Sequence, residues 1–135
     1  MAGVSTPVLV GPTGIGKTAV AYALQAHWPL EVISADSRQV YRGLDIGTAK
    51  PPARWLARLP HHGIDIVRPG ERYSAGRFAK DAPGWIADVR RRGRLPVVVG
   101  GTGLYVRALA DGLFFEPPLD PLRRRDLERW TRALE

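Results

Sequence analysis

Apolar residues fall into short runs separated by segments of helical spacing. Pro7-Val8-Leu9-Val10 is an apolar run stopped by a glycine-rich turn, which predicts a buried strand. Beyond the turn, Ala19, Val20, Ala23 and Leu24 recur at helical spacing to about His27, and Pro29 ends the pattern. Leu30-Glu31-Val32-Ile33-Ser34 predicts a second buried strand. From Ala35 to about Pro60 turn residues dominate, so this stretch reads as a loop with a short helix over Ala53–Leu59, and His61 to Val67 reads as a short strand. Ser74 is a predicted N-cap for a helix reaching Arg92, with Phe78, Ile86 and Val89 among its apolar positions and a bend expected at Pro83-Gly84. Leu95-Pro96-Val97-Val98-Val99 is the strongest strand and runs into Gly100-Gly101-Thr102-Gly103. Leu104 to Ala110 then reads as a helix closed by Asp111-Gly112.

This alternation predicts an α/β fold, a parallel sheet flanked by helices on both faces, with ligands bound at the carboxyl ends of the strands. The boundaries expected are a core over residues 1–118 and, over 119–135, the start of an arginine-rich amphipathic helix. Asp120-Pro121 makes a good N-cap and first turn there, with Leu122, Leu127, Trp130 and Leu134 on roughly one face. That helix meets no stop signal before Glu135, so the chain is expected to be cut short.

Composition narrows the function. The chain has 135 residues, 44% hydrophobic and 24% charged, the make-up of one globular domain, which excludes intrinsic disorder. No apolar run is long enough to span a bilayer, and the first residues lack a signal peptide's basic and apolar regions, so a cytoplasmic protein with no membrane partner is expected. Zero cysteines exclude a disulfide framework and a thiolate zinc site, and three scattered histidines make a poor transition-metal cage. Any metal is then a hard cation on oxygen ligands. A net charge of +7 fits an anionic partner such as nucleic acid or phosphate, or equally an arginine-rich solvated surface.

Gly11-Pro12-Thr13-Gly14-Ile15-Gly16-Lys17-Thr18 satisfies the phosphate-loop pattern G-x-x-x-x-G-K-[ST], between a strand and a helix as the pattern requires. Its glycines let successive backbone N–H groups converge on phosphate oxygens at the positive end of the helix. Lys17 adds a point charge, and Thr18 is placed to ligate Mg²⁺. The core is therefore expected to be of the P-loop nucleoside triphosphate hydrolase type. The loop alone does not say which phosphorylated molecule binds.

Asp36, in Ser34-Ala35-Asp36-Ser37-Arg38-Gln39-Val40-Tyr41, emerges from the second strand on the same sheet edge. It is suited to be a magnesium partner or a general base, or to cap the following turn. Arg38 and Gln39 read as contacts to a base edge or a phosphate, or as plain surface residues. Thr102, after the third strong strand, offers a second anion contact, against the alternative of a tight turn that needs glycine. His61 and His62, adjacent on a strand, point to opposite faces, which favours at least one histidine bonded to the loop over a metal or acid–base site. Arg123-Arg124-Arg125 is either a solvated helix face or a phosphate contact.

Taken in order, GPTGIGKT, ISADSRQVYRGLDIGTAKP, HHGIDI, YSAGRFAKDA and VVVGGTGLYVRAL resemble the tRNA dimethylallyltransferases, also called tRNA isopentenyltransferases. The resemblance covers nearly the whole chain; those enzymes are longer, with an inserted helical tRNA-binding part. It implies transfer of a dimethylallyl group from dimethylallyl diphosphate to N6 of adenosine 37, beside the anticodon of a tRNA, with release of diphosphate. By the same resemblance Thr13 to Thr18 bind the diphosphate, Lys17 neutralises it, Thr18 holds Mg²⁺ and Asp36 accepts the N6 proton. Ser37, Arg38, Gln39, Thr102 and Arg124 would contact tRNA, whose adenine must flip from its stack to arrive. An arginine that assists diphosphate departure in the family lies beyond residue 135, which leaves turnover by this chain open. The partners implied are tRNA and dimethylallyl diphosphate, with ATP as a further ligand that the loop would accept, and a monomer is expected.

Three other readings compete. One is a prenyltransferase of free adenine nucleotides, against which Gly47-Thr48-Ala49-Lys50-Pro51 looks like the tRNA-directed branch. Another is a small-molecule P-loop kinase with an Asp after its second strand. The third is a non-catalytic fragment that binds diphosphate without turnover.

Overall fold

In the computed structural model the described residues are 5–12, 14–45, 50–101, 103–111, 125 and 129. Four parallel strands, β1 (Val8–Val10), β2 (Leu30–Ser34), β3 (His61–His62) and β4 (Leu95–Gly100), form one sheet in the order β1-β4-β2-β3. The last strand in the sequence thus lies between the first two, paired through Val8↔Val98 on one side and Val32↔Val97 on the other. Both of its edges are occupied, and β2 beside it is buried at every position, which is why each reads as a continuous apolar run rather than an alternation.

Helices α1 (Lys17–Leu24), α2 (Ala53–Arg58), α3 (Ala75–Arg91) and α4 (Gly103–Asp111) complete the described elements. Successive side chains along β2 and β4 point to opposite faces. Leu30, Val32, Val97 and Val99 pack with Ala21 of α1 and with Leu59 just after α2. Ile33 and Val98 pack on the other face with Phe78, Ala82 and Val89 of α3 and Tyr105 of α4. The expected α/β architecture is present, with two helices on each face.

Several expected boundaries move. The first helix stops at Leu24 rather than near His27, because His27 and Trp28 both donate their N–H to the Leu24 carbonyl in a closing turn before Pro29. The third strand is two residues long, not seven. Past His62 the chain turns at Gly63, and Ile66 and Val67 instead bond the Val40 carbonyl, with one isolated bridge between Tyr41 and Val67. α3 runs as a single helix through Pro83, and Ser74 caps it as expected by accepting the Arg77 N–H at 3.1 Å. The 118/119 boundary lies outside the described residues; of the arginine-rich segment, Arg125 and Arg129 are helical and exposed.

Under β2, on the α3 face, the 4%-exposed Glu31 carboxylate accepts hydrogen bonds from His62 Nε2 and Arg92, each at 2.6 Å, and pairs with Arg94 at 3.3 Å. Burial alone would raise the pKa of this carboxyl, but the bonds and charges of His62 and Arg92 outweigh it and hold the group below 4.5. The cluster ties the start of β2 to β3 and to the end of α3. Among the described residues no helix is long and apolar enough to cross a membrane.

Candidate active site

The site gathers at one edge of the sheet, from the loop after β1, the turn after β2 and Lys50 in the segment between β2 and α2, with Val99 of β4 in its lining. After β1 comes the phosphate loop, and α1 begins directly from it. Gly16 is the N-cap of α1 with φ of 96°, a left-handed conformation that glycine adopts without strain. Among the described residues no side chain caps this helix, which leaves its first amides to the loop. The Lys17 ammonium group donates to the carbonyls of Gly11 and Pro12, both at 2.6 Å.

Asp36 leaves the end of β2. Its Oδ1 accepts the backbone N–H of Arg38 at 2.8 Å and of Gln39 at 3.1 Å, so the carboxylate caps its own turn. The turn-capping expectation is therefore realised, and it holds the group in place rather than removing it from the site. Ser34 Oγ donates to Gln39 Oε1 at 3.3 Å, which keeps the Gln39 side chain against the strand end.

The third contribution is Lys50, whose side chain is only 5% exposed. Its ammonium donates to the Tyr41 carbonyl at 2.6 Å and to Asp45 at 3.0 Å, and it also pairs with Asp65. Burial works against the charged form, but the bonds and charges of the two aspartates outweigh it and raise the pKa above 10.5. Asp65 holds a left-handed φ of 55°, rare for a residue with a Cβ, and its N–H donates to the Gln39 carbonyl at 3.0 Å. Lys50 thus clamps the Asp36–Gln39 turn to the segment after β3.

These parts line one cavity of about 300 Å³. Gly14, Gly16, Lys17 and Thr18 form one wall, and Ser34, Asp36, Gln39 and Lys50 a second. Val32, Val99, Pro51, Trp55 and His61 make a third, largely apolar wall. His61 Nδ1 bonds the Leu59 carbonyl at 2.7 Å, and burial pushes its imidazole below 6.5, with His62 adding to the effect. The two histidines diverge as expected, His61 to the cavity and His62 to Glu31. Tyr105 stands behind Asp36 on the α4 side and donates to the Tyr73 carbonyl at 2.9 Å. Burial, with help from Tyr41 and Asp36, pushes its phenol up to about 12, so it stays a neutral donor.

Of the expected site residues, Gly14, Gly16, Lys17, Thr18, Asp36 and Gln39 come together here, while Thr13, Thr102 and Arg124 lie outside the described residues. Arg38 is exposed at the rim and has its N–H on Asp36. Lys50, Trp55 and His61 were not expected as members. A signal for Lys50 was present: the chain has only three lysines among 20 basic residues, and two of them, Lys17 and Lys50, line this cavity. A compact ammonium with three donors suits both places better than a planar guanidinium.

The sheet order, the loop and the carboxylate at the second strand end define a phosphate-loop α/β protein. A family model described as IPP transferase matches residues 39–135, and one described as isopentenyl transferase matches residues 4–60. The chain belongs to the IPP transferase family. It is 53% identical over 132 residues to a tRNA dimethylallyltransferase of Methylibium petroleiphilum, covering 98% of this chain and 40% of that protein. It is 56% identical over 115 residues to the Thermus thermophilus tRNA dimethylallyltransferase, covering 85% of this chain and 38% of that protein. Among solved structures, the full-length tRNA isopentenylpyrophosphate transferase from Bacillus halodurans superposes with a TM-score of 0.78 at 43% identity, over 96% of this chain and 43% of that one. A eukaryotic dimethylallyltransferase acting on tRNA superposes with a TM-score of 0.73 at 36% identity, over 85% of this chain and 27% of that one. The chain spans about two fifths of the length of the curated relatives it matches.

Proposed function

We propose that this chain carries the diphosphate-binding and base-bearing part of a tRNA dimethylallyltransferase. The reaction joins C1 of dimethylallyl diphosphate to N6 of adenosine 37 in a tRNA. The C1–O bond breaks, diphosphate leaves with that electron pair, and the N6 proton passes to a base. The observation that carries this reading is the convergence, in one cavity, of a phosphate loop, a fixed carboxylate and an apolar wall. The names of the relatives support it.

An exocyclic amine is a weak nucleophile, so the site must neutralise the leaving group and take up a proton. The amides from Gly14 to Thr18 and the Lys17 ammonium, released from the Gly11 and Pro12 carbonyls, bind the diphosphate. Asp36 is the base; the two N–H groups on its Oδ1 aim it. Ser37, Arg38 and Gln39, on the same turn, meet the tRNA, and Thr13, Thr102 and Arg124 belong to this reading on the resemblance alone. The Thr18 hydroxyl, which lines the cavity, is an oxygen donor of the kind Mg²⁺ selects. When bound, Mg²⁺ offsets charge on the departing diphosphate. tRNA places this chemistry in the cytoplasm.

The test is calorimetric titration of the chain with dimethylallyl thiodiphosphate and with ATP, both with Mg²⁺. Tighter binding of the prenyl analogue is expected. Clear preference for ATP would overturn the reading in favour of a small-molecule kinase.

A further inference from the structure

Two cavities share one wall. Beside the strand-end cavity of about 300 Å³ lies a second of about 240 Å³, lined by Tyr22, Arg54, Trp55 and Arg58, and Trp55 is the residue common to both. The indole stacks on the Tyr22 ring, with centroids 4.9 Å apart and planes inclined by 23°. It is firmly held. The Trp55 backbone N–H donates to the Pro52 carbonyl at 2.9 Å, the Trp55 carbonyl accepts the Leu59 N–H at 2.8 Å, and Leu59 is fully buried beneath α2. Behind the stack, Arg58 donates to the Tyr22 hydroxyl at 3.3 Å, and Gln25 donates to the Arg58 carbonyl.

The strand-end cavity is polar on the loop side and apolar toward Val32, Val99, Pro51 and Trp55. An anion carrying a short hydrocarbon fits that division, with its charged end on the loop amides and its hydrocarbon against the apolar wall. Trp55 closes that wall and separates it from the outer cavity.

The geometry points to Trp55 as the residue that sets the chain length of the allylic diphosphate, an inference that rests on the function proposed above. Truncating the indole joins the two cavities and makes the Tyr22 ring the new end wall. One further isoprene unit then has a place to lie. Discrimination between neighbouring chain lengths in an apolar pocket comes from such steric limits, at about tenfold or more per misfit.

The test is calorimetric titration, with Mg²⁺, of dimethylallyl and geranyl thiodiphosphates and of inorganic pyrophosphate. It uses the chain as it stands and two variants, Trp55→Ala and Trp55→Leu, each checked for folding by circular dichroism. The natural chain is expected to favour the dimethylallyl analogue. In Trp55→Ala the ratio of the two affinities shifts toward geranyl by about tenfold or more, and in Trp55→Leu by less. Equal affinities in the natural chain would overturn the inference with no need of a variant. So would an unshifted ratio in either folded variant. If the natural chain binds pyrophosphate but neither prenyl analogue, the proposed function falls and this inference falls with it.

Discussion

Gly100, the last residue of β4, lies directly against Ala35, the first residue after β2. A Cβ on Gly100 would meet the Ala35 carbonyl oxygen at 2.2 Å and the Ala35 Cβ at 2.7 Å, while Ala35 N–H donates to the Val99 carbonyl at 2.8 Å. This contact brings the exit of β2, with Asp36, beside the exit of β4. Two of the five segments that resemble the family's motifs are in register because one side chain is missing.

Gly100→Ala is therefore expected to cost about 3 kcal/mol, since the obstacle is backbone and cannot swing aside. Urea unfolding would record this as a lower midpoint with an unchanged slope. A midpoint equal to that of the natural chain would mean that the strand ends are not tightly apposed.

Lys17→Ala should weaken pyrophosphate binding by about tenfold or more, because it removes the ammonium that faces the loop. Lys17→Arg should not restore it fully, as a larger planar fork does not bring a compact point charge to the same place. Calorimetry on both variants decides the matter; unchanged affinity in Lys17→Ala would show that the anion sits elsewhere.

Asp36→Asn separates two duties of one side chain. The amide oxygen still accepts the Arg38 and Gln39 N–H groups, so the turn persists, but the base is gone. Single-turnover transfer to a tRNA anticodon stem-loop should fall by about a hundredfold or more, with a far smaller effect on dimethylallyl thiodiphosphate binding. Near-normal transfer would remove Asp36 from the role of base.

Stability should fall with acid in two stages. His61 is held below 6.5, so between its folded and unfolded values the unfolded chain binds more protons. Its contribution is complete above pH 6.5 and declines as the pH drops toward the folded value. Glu31 is held below 4.5, so its contribution persists above pH 4.5 and is lost as the pH falls through its folded value. Urea midpoints measured from about pH 4 to about pH 8 should show both stages, and His61→Gln should abolish only the upper one. A flat midpoint between the two values in the natural chain would contradict the His61 assignment.

Much of this was legible in local pattern. β2 and β4 are apolar runs because they are covered on both faces, and the phosphate loop and the Ser74 cap are set by residues within a few positions of one another. β1 was expected to be buried too, but as the edge strand it leaves Val8 and Val10 about half exposed and packs only Leu9 against the core. The insertion of β4 between β1 and β2 was not legible, since it depends on a contact between residues as far apart as Ala35 and Gly100. The membership of Trp55 was hidden for a different reason: on a short helix, an indole reads as packing whether it faces a core or a cavity. His61 to Val67 misled because its apolar residues answer to Val40, across a turn, and not to a neighbouring strand. Glu31, a charge inside a buried run, finds its reason only in Arg92 and His62, far along the chain.

The two carbonyls under Lys17 bear on how the loop captures an anion. The ammonium lies 2.6 Å from the carbonyls of both Gly11 and Pro12, so the side chain is held at the start of the loop. Capture is then an exchange of partners rather than an ordering event. Its temperature dependence should reflect displaced water more than a rearranging backbone.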